Sequence, residues 1–177
     1  MPFDPERRLR FETLFAAHQA AVRSYVVRRA GGGVAVDDAV ADTFLVAWRR
    51  LDDVPDAPLP WLLAVARRVL ADQRRAAGRR RSLTERLRLV SSALPAWEPP
   101  QGLSAELTDA LRELTEHERE ALLLVAWDGL APAEAAVAAG CSPAAFRVRL
   151  HRARRRVASA LSIETASAPH ATTEGLR

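Results

Sequence analysis

The chain has 177 residues, of which 49% are hydrophobic, and its formal net charge is +4. This length suits one domain or two small ones with a core in each. All 26 basic residues are arginine, so every cationic contact is made by a guanidinium group, which suits phosphate and guanine edges. A single cysteine excludes an internal disulfide, and with four scattered histidines it gives no metal-ligand spacing, so we predict no metal or other cofactor.

The apolar runs are too short to cross a bilayer, and the N-terminal residues lack an apolar signal segment. These features predict a cytoplasmic protein with no membrane insertion. No Ser/His/Asp grouping, glycine-rich phosphate loop or paired carboxylate site emerges. We therefore predict that the chain is not an enzyme.

The first predicted module covers residues 6–81. Apolar residues recur at three- and four-residue steps from Phe11 to Val26, which predicts a long helix that the glycines at 31–33 end. A second helix is predicted over Asp37–Leu51, where two aspartates in the first turn complement the helix dipole. A proline loop follows, and a third helix is predicted from Pro60 to about Ala77, with a glycine at 78 stopping it.

The second helix has two contrasting faces on a helical wheel. Its predicted core face consists of Val40, Phe44, Ala47, Trp48 and Leu51. The opposite face consists of Asp38, Asp42, Leu45, Val46 and Arg49. Large apolar residues beside charges on an outer face indicate a protein partner, although single exposed apolar residues are also common.

The third helix is rich in arginine. Residues 62–88 contain nine arginines and two acids, a local balance of +7, which is the electrostatic footprint of a nucleic-acid site. The side chains expected to point outward are Arg67, Arg68, Arg74 and Arg75. Trp48 and Trp61 lie among apolar neighbours and are predicted to be core residues rather than platforms for bases. Contacts to unpaired bases are expected instead from the loop Asp52–Pro60, whose aspartates repel phosphate.

Residues 82–103 are predicted to form a flexible linker with one short helix at Leu83–Val90, because prolines and arginines replace the apolar pattern. The second module covers residues 104–161. Its sequence Thr115-Glu116-His117-Glu118 predicts a capping box before an apolar helix. The remaining residues, 162–177, are small and polar, and are predicted to be disordered.

The second module ends in a predicted helix-turn-helix. In its turn, Gly140-Cys141-Ser142-Pro143, the glycine closes one helix and the serine caps the next, which begins at the proline. Cys141 is expected to serve packing rather than redox switching. The last helix carries six arginines and no acid between residues 145 and 157, and it buries Phe146, Leu150, Ala153 and Val157.

This pattern predicts a DNA recognition helix. The N-terminal part of such a helix meets base edges while later basic residues hold the backbone. The predicted base readers are Arg147, Val148, His151 and Arg152. The predicted phosphate contacts are Arg149, Arg154, Arg155 and Arg156.

Three stretches resemble bacterial sigma factors. DDAVADTFLVAWRRL (residues 37–51) looks like their second region, and PWLLAVARRVLADQRR (residues 60–75) like the segment after it. Residues 114–157, including GLAPAEAAVAAGCSPAAFRVRLHRARRR, are similar to their fourth region. Two modules in this order with a short linker resemble the extracytoplasmic-function (ECF) group.

The resemblance implies an all-α fold, with a region 2 bundle and a region 4 helix-turn-helix. It implies that the chain binds core RNA polymerase, through the clamp of the beta-prime subunit, and directs promoter recognition, DNA melting and transcription initiation. The second helix would contact the clamp, the loop and third helix would open the minus-10 element and capture an extruded base, and the last helix would read the minus-35 element. An anti-sigma factor is a further expected partner.

Two alternatives remain open at this point. A stand-alone helix-turn-helix regulator would act as a dimer on a palindromic site without binding polymerase. A decoy would occupy polymerase or an anti-sigma factor without reading DNA, but the arginines of both modules argue against it.

Overall fold

The computed structural model describes residues 4–30, 35–85, 99 and 102–167. Within these residues the structure consists of helices and contains no strand, which confirms the all-α prediction. None of the described helices is long and apolar enough to cross a membrane. The elements are α1 Pro5–Arg29, α2 Val36–Arg49, a 3₁₀ turn Leu51–Asp53, α3 Pro58–Glu85, α4 Ala105–Glu113, α5 Glu116–Ala126, α6 Pro132–Ala139 and α7 Pro143–Ser167.

Helices α1, α2 and α3 form the first module. Asp4 begins α1, because its carboxylate accepts a hydrogen bond from the Glu6 backbone N–H (3.0 Å) and Pro5 occupies the first helical position. The three helices pack on one another through fully buried apolar side chains. The largest of these are Val22, Tyr25, Val26, Leu51, Leu62 and Leu63.

Helices α4 to α7 form the second module. The predicted capping box starts α5: Thr115 Oγ1 accepts from the Glu118 backbone N–H (3.3 Å), and Glu118 Oε2 accepts from the Thr115 backbone N–H (3.2 Å). Helix α6 has no side-chain cap at Ala131, but Glu134 Oε2 accepts from the Ala131 backbone N–H (2.9 Å). Helix α7 packs against α4, α5 and α6 through Phe146, Leu150 and Ala153.

Three boundary predictions were wrong. Helix α3 continues through Gly78 to Glu85 because this glycine lies on an exposed helix surface between good helix formers, where its lower helix propensity costs only about 0.5–1 kcal/mol. The predicted helix at residues 83–90 is therefore the end of α3 up to Glu85, and its remainder lies outside the described residues. Helix α7 extends to Ser167, so the first six residues of the predicted tail are helical.

The two modules pack directly on each other. Helix α3 of the first module lies against α6 of the second. One cluster of buried apolar side chains runs from Tyr25 and Leu62 in the first module to Ala135 and Phe146 in the second. The sequence pattern predicted two helical domains, but it did not predict that they share a core.

Candidate nucleic-acid and polymerase interfaces

The outward face of α7 presents the predicted recognition residues together. Phe146, Leu150 and Ala153 hold the helix to the module, as predicted, while Val157 is half-buried. Helical periodicity then leaves the opposite side uncovered. The exposed residues there are Arg147, Val148, His151, Arg152, Arg154 and Arg155, with Arg149 half-buried on the flank. This is a continuous basic surface with a valine, 50% exposed, among the arginines.

The turn before α7 has the predicted geometry. Gly140 closes α6 in the left-handed conformation with φ of 62°, which a residue with a side chain rarely adopts. Ser142 Oγ accepts from the Ala145 backbone N–H (3.2 Å), and α7 starts at Pro143. Cys141 is a half-buried free thiol packed against the apolar core. The turn therefore fixes the angle at which α7 leaves α6.

Arg156 is engaged within the protein. It was predicted to contact phosphate, but its Nη1 lies 2.7 Å from Glu118 Oε2. Burial alone would raise the pKa of the Glu118 carboxyl. The hydrogen bonds from Thr115 and the charge of Arg156 outweigh it and hold that pKa below its ordinary value. Arg156 therefore couples α7 to the start of α5.

The four predicted minus-10 arginines of α3 divide into two pairs. Arg68 and Arg75 are exposed, and Arg75 forms a local ion pair with Asp72. Arg67 is half-buried, contrary to the prediction that it points outward, because its guanidinium lies against Gly140 of the second module. A Cβ atom at position 140 would overlap Arg67 Nη2.

Arg74 also faces the protein in part. Its Nη2 donates to the Arg29 carbonyl oxygen, and its Nη1 lies 3.8 Å from Glu116 Oε1. It remains largely exposed along the rest of its side chain. Of the four arginines predicted to contact the minus-10 element, only Arg68 and Arg75 thus lie wholly on the surface.

A cavity of about 260 Å³ lies between α1 and the proline loop. Polar groups and apolar surface both line it, and it opens beside the start of α3. The lining residues are Arg10, Thr13, Leu14, Ala17, His18, Leu51, Val54, Pro55, Asp56 and Pro58. The sequence predicted base contacts from the proline loop on one side of this cavity. It did not predict the α1 residues on the other side, because the apolar periodicity of α1 indicates only which of its residues pack in the core.

The predicted outward face of α2 is on the surface. Asp38, Asp42, Leu45 and Arg49 are exposed, while Val46 is half-buried. Leu45 is 45% exposed, and Asp42 accepts a hydrogen bond from Gln73 Nε2 (3.1 Å). This face combines acids, an arginine and apolar area, as the wheel predicted.

Trp48 extends this surface, which corrects its placement in the core. The residue is 37% exposed at the edge of an aromatic cluster. The ring centroid of Phe11 lies 5.2 Å away, and the Arg7 guanidinium lies over the indole at 5.5 Å. Trp61, also predicted to be core, is half-buried.

A cluster of buried charged side chains lies between the modules, and the sequence analysis did not predict it. Arg29, 6% exposed, donates from Nε to Glu120 Oε2 (2.7 Å) and from Nη2 to Asp128 Oδ2 (2.8 Å). Arg28 pairs with the other oxygen of Asp128, and the Tyr25 hydroxyl donates to Glu120 Oε1 (3.0 Å). The sequence gives no signal for this cluster, because the partners lie 91 to 100 positions apart.

The cluster shifts two pKa values. Burial and the neighbouring Glu120 carboxylate raise the pKa of the Tyr25 hydroxyl well above its ordinary value. Burial alone would lower the pKa of the Arg29 guanidinium, but the two carboxylates outweigh it and raise that pKa. Arg29 is therefore charged at every accessible pH, and Tyr25 is a neutral donor.

Two family profiles match the chain in order. Sigma-70 region 2 matches residues 14–80, which contain most of the first module, and Sigma-70, region 4 matches residues 104–157, which contain α4 to most of α7. The match boundaries lie close to those of the two modules.

Individual proteins agree with the profiles. The chain is 30% identical over 148 residues to RNA polymerase sigma factor CarQ of Myxococcus xanthus, covering 80% of this chain and 83% of CarQ. It is 34% identical over 150 residues to ECF RNA polymerase sigma factor SigC of Mycobacterium tuberculosis, covering 81% of this chain and 78% of SigC.

A solved structure shows the same fold. The sigma factor RpoE of Bartonella quintana, in complex with the anti-sigma factor NepR, superimposes with a TM-score of 0.64 at 25% identity, over 86% of this chain and 97% of that one. The relatives and both profiles agree with an all-α chain that carries region 2 and region 4 in this order. The chain belongs to the ECF group of sigma-70-type RNA polymerase sigma factors.

Proposed function

We propose that this sigma factor binds core RNA polymerase through α2, opens the minus-10 element with the proline loop and α3, and reads the minus-35 element with α7. The observation that carries the proposal is the basic outer face of α7, which follows the turn of a helix-turn-helix; the first module presents a separate exposed face with charged and apolar residues. The proposed functional units are residues 6–81 and 104–161, with residues 82–103 between them. No catalytic role is proposed, since a sigma factor selects promoters for the polymerase.

The polymerase contact is assigned to the outward face of α2. Interfaces combine an apolar centre with a charged rim, and Leu45 and Trp48 with the surrounding charges have that composition. We assign the clamp of the beta-prime subunit as the surface that this face meets. The residues proposed are Asp38, Asp42, Leu45, Val46 and Arg49, and we add Trp48 because it is exposed on the same helix.

The minus-10 contact is assigned to the α1–loop cavity and to the arginines of α3. An unpaired base needs flat apolar walls and a few polar groups, which Leu51 and Pro55 together with Arg10 and His18 supply. Arg68 and Arg75 are already exposed to hold backbone phosphates. Arg67 joins them only if the second module moves away, and Arg74 only if it releases the Arg29 carbonyl of the first module.

The minus-35 contact is assigned to α7. Arg147 and Arg152 have the reach and the fork geometry for guanine O6 and N7, and Val148 has the methyl groups for contact with a thymine methyl. Arg149, Arg154 and Arg155 hold phosphates on either side. We infer that the protein acts in the cytoplasm, where its polymerase and promoter are, and that an anti-sigma factor binds it.

The first test is binding of the labelled chain to purified bacterial core RNA polymerase. The variant Asp38→Arg/Leu45→Asp changes two exposed positions of α2, so it leaves the core of the first module intact. Wild-type binding that this variant loses while keeping its helical content supports the proposal. The matched control, Leu9→Asp/Glu12→Arg, places the same kinds of charge change on an exposed part of α1 and should bind as the wild type does.

The same experiment separates the alternatives. A stand-alone regulator would not bind a core enzyme that accepts another sigma factor, and it would dimerise on a palindromic site. A decoy would bind the core enzyme but would not direct transcription. Promoter-directed transcription that Arg147→Ala/Arg152→Ala abolishes, with polymerase binding unchanged, would exclude the decoy.

A further inference from the structure

Arg7, near the start of α1, contacts the place where the chain leaves α2. Its Nη2 donates to the Trp48 backbone carbonyl oxygen (2.9 Å), in the last turn of α2. Its Nη1 donates to Asp52 Oδ2 (2.7 Å), in the 3₁₀ turn that follows. The same guanidinium lies over the Trp48 ring, 5.5 Å from its centroid. One side chain therefore holds both ends of the segment from residue 48 to residue 52.

A guanidinium suits this junction for two reasons. The last carbonyl oxygens of a helix lack partners within the helix and carry the negative end of its dipole, so a cation that donates to them is favourable. The planar fork of arginine also directs separate N–H groups at two acceptors, which gives the contact a defined geometry. Arg7 therefore fixes the direction in which the chain leaves α2, in addition to forming an ion pair.

The segment that Arg7 holds leads into one wall of the cavity between α1 and the proline loop. Leu51, which is 1% exposed, lies in the chain between the two contacts of Arg7 and lines that cavity. Val54 and Pro55, just after the 3₁₀ turn, line the same wall. Arg7 itself lies outside the lining of the cavity. It can therefore affect a molecule bound there only through the wall that it holds and through the charge that it balances.

The charge that Arg7 balances belongs to a loop that was expected to repel phosphate. Asp52 lies between two arginines of α1, with Arg7 at 2.7 Å and Arg10 at 3.7 Å. The next carboxylate, that of Asp53, is 2.9 Å from the guanidinium of Arg50. Loss of Arg7 would therefore change the geometry of the wall and also leave a less balanced negative charge in the loop. An experiment on Arg7 has to separate these two effects.

We propose that Arg7 is a positioning residue for base capture, which holds the junction of α2 and the proline loop so that Leu51 and the loop keep one wall of the cavity in place for an unpaired base. This inference rests on the proposed function of the cavity as the minus-10 base site. Exposed ion pairs contribute little to folding stability, and the Asp52 side chain is 77% exposed. The expected effect of losing Arg7 is therefore on base selection rather than on the fold.

The test measures base selection by the full chain bound to core polymerase. The complex is purified first, so that a change in polymerase affinity does not enter the comparison. It is then incubated with a short randomised pool of single-stranded DNA, and the bound molecules are sequenced. For the wild type we expect at least one position at which one base is enriched over the others. For Arg7→Gln we expect that enrichment to fall roughly tenfold, as for the loss of about one base contact, at unchanged melting temperature.

The variant Asp52→Asn separates geometry from charge. It removes a negative charge, so a purely electrostatic role predicts stronger binding of the whole pool with unchanged base enrichment. A positioning role predicts the same loss of enrichment as in Arg7→Gln, and no further loss in the double variant, because both substitutions break one contact. The matched control, Arg23→Gln, removes the exposed ion pair between α1 and Asp37 in the first turn of α2, and it should keep the wild-type enrichment. If Arg7→Gln does not fold, Asp52→Asn decides.

Enrichment that persists in folded Arg7→Gln, or the purely electrostatic result for Asp52→Asn, would overturn the inference. An equal loss in Arg23→Gln would also overturn it, since any weakening of the contact between α1 and α2 would then be sufficient. Failure of the wild type to bind core polymerase, or a wild type that enriches no base at any position, would instead count against the proposed function. The two failures are therefore distinguishable.

Discussion

Helices α7 and α3 are both arginine-rich, yet they hold their arginines in different ways. On α7 the basic face is exposed to solvent, because Phe146, Leu150 and Ala153 turn the opposite face of the helix toward the core. On α3 the second module covers Arg67, and Arg74 donates a hydrogen bond to the Arg29 carbonyl of the first module. A run of arginines thus marks a nucleic-acid site in sequence, but which of them are available depends on tertiary contacts.

The largest expected effect tests the available face. Replacing Arg147 and Arg152 by alanine removes two base contacts worth about 1–3 kcal/mol each, so affinity of the polymerase-bound chain for its minus-35 duplex should fall by roughly 30- to 20,000-fold. Fluorescence anisotropy at fixed salt measures this. The control Arg112→Ala removes an exposed arginine of α4 and should change affinity less than twofold. Equal losses in both variants would show that α7 is not the reader.

The next effect tests the glycine that meets Arg67. Gly140 and Gly129 both have positive φ, of 62° and 68°, but only Gly140 has a neighbour where a Cβ would be added. Gly129→Ala should lower the free energy of unfolding by about 1–2 kcal/mol from backbone strain. Gly140→Ala should lower it further, because Arg67 must also move.

Urea denaturation of the two alanine variants measures the difference. Adding Arg67→Ala to Gly140→Ala should remove the excess and leave a loss close to that of Gly129→Ala. If Gly140→Ala still loses more unfolding free energy than Gly129→Ala when Arg67 is replaced by alanine, the extra loss arises in the turn and not from contact with Arg67.

A smaller effect separates Arg68 from Arg67. In the polymerase complex, loss of one phosphate contact to single-stranded DNA should reduce the slope of log affinity against log salt by about 0.7, and we expect this for Arg68→Ala. Arg67→Ala should give the same reduction with polymerase present. Arg67→Ala should also lower the free energy of unfolding of the free chain, which Arg68→Ala should not do, because Arg67 packs against Gly140 and Arg68 is exposed.

The smallest expected effect concerns pH. Because the folded protein holds the pKa of Glu118 below its ordinary value near 4.5, this carboxylate contributes stability above that pH that is lost as the pH falls through the folded value. Glu118→Gln should therefore be less stable than the wild type at neutral pH, and the difference should shrink in acid. Thermal melts at pH 7 and pH 4 measure it, and a constant difference would contradict the assignment.

Local rules predicted most of this molecule. The stripe of Phe146, Leu150 and Ala153, the capping box at Thr115 and the left-handed Gly140 each follow from residue types within one turn of helix. The errors have equally local causes, since propensity alone could not show that the neighbours of Gly78 would carry α3 onward. Trp48 was predicted to be a core residue because helical periodicity assigns it to the core side of α2. Periodicity does not show that a residue at the edge of that side remains exposed to solvent.

The intermodule cluster could not have been predicted in this way. Arg28 and Arg29 at the end of α1 have a sufficient local explanation, as cations near a helix C-terminus. Their burial depends on Glu120 and Asp128, which belong to the other module. Helix α6 is rich in alanine, and its small side chains let α3 lie close to it.

The small side chains of α6 also bear on reversibility. Three of its alanines are buried, and each methyl group removes little apolar surface from water, so the hydrophobic attraction across this helix is modest. The desolvation penalty of buried ion pairs offsets much of their Coulombic attraction, and the four charges are rehydrated on separation. The α3–α6 contact therefore depends on close approach of the two helices and buries little apolar surface for each residue.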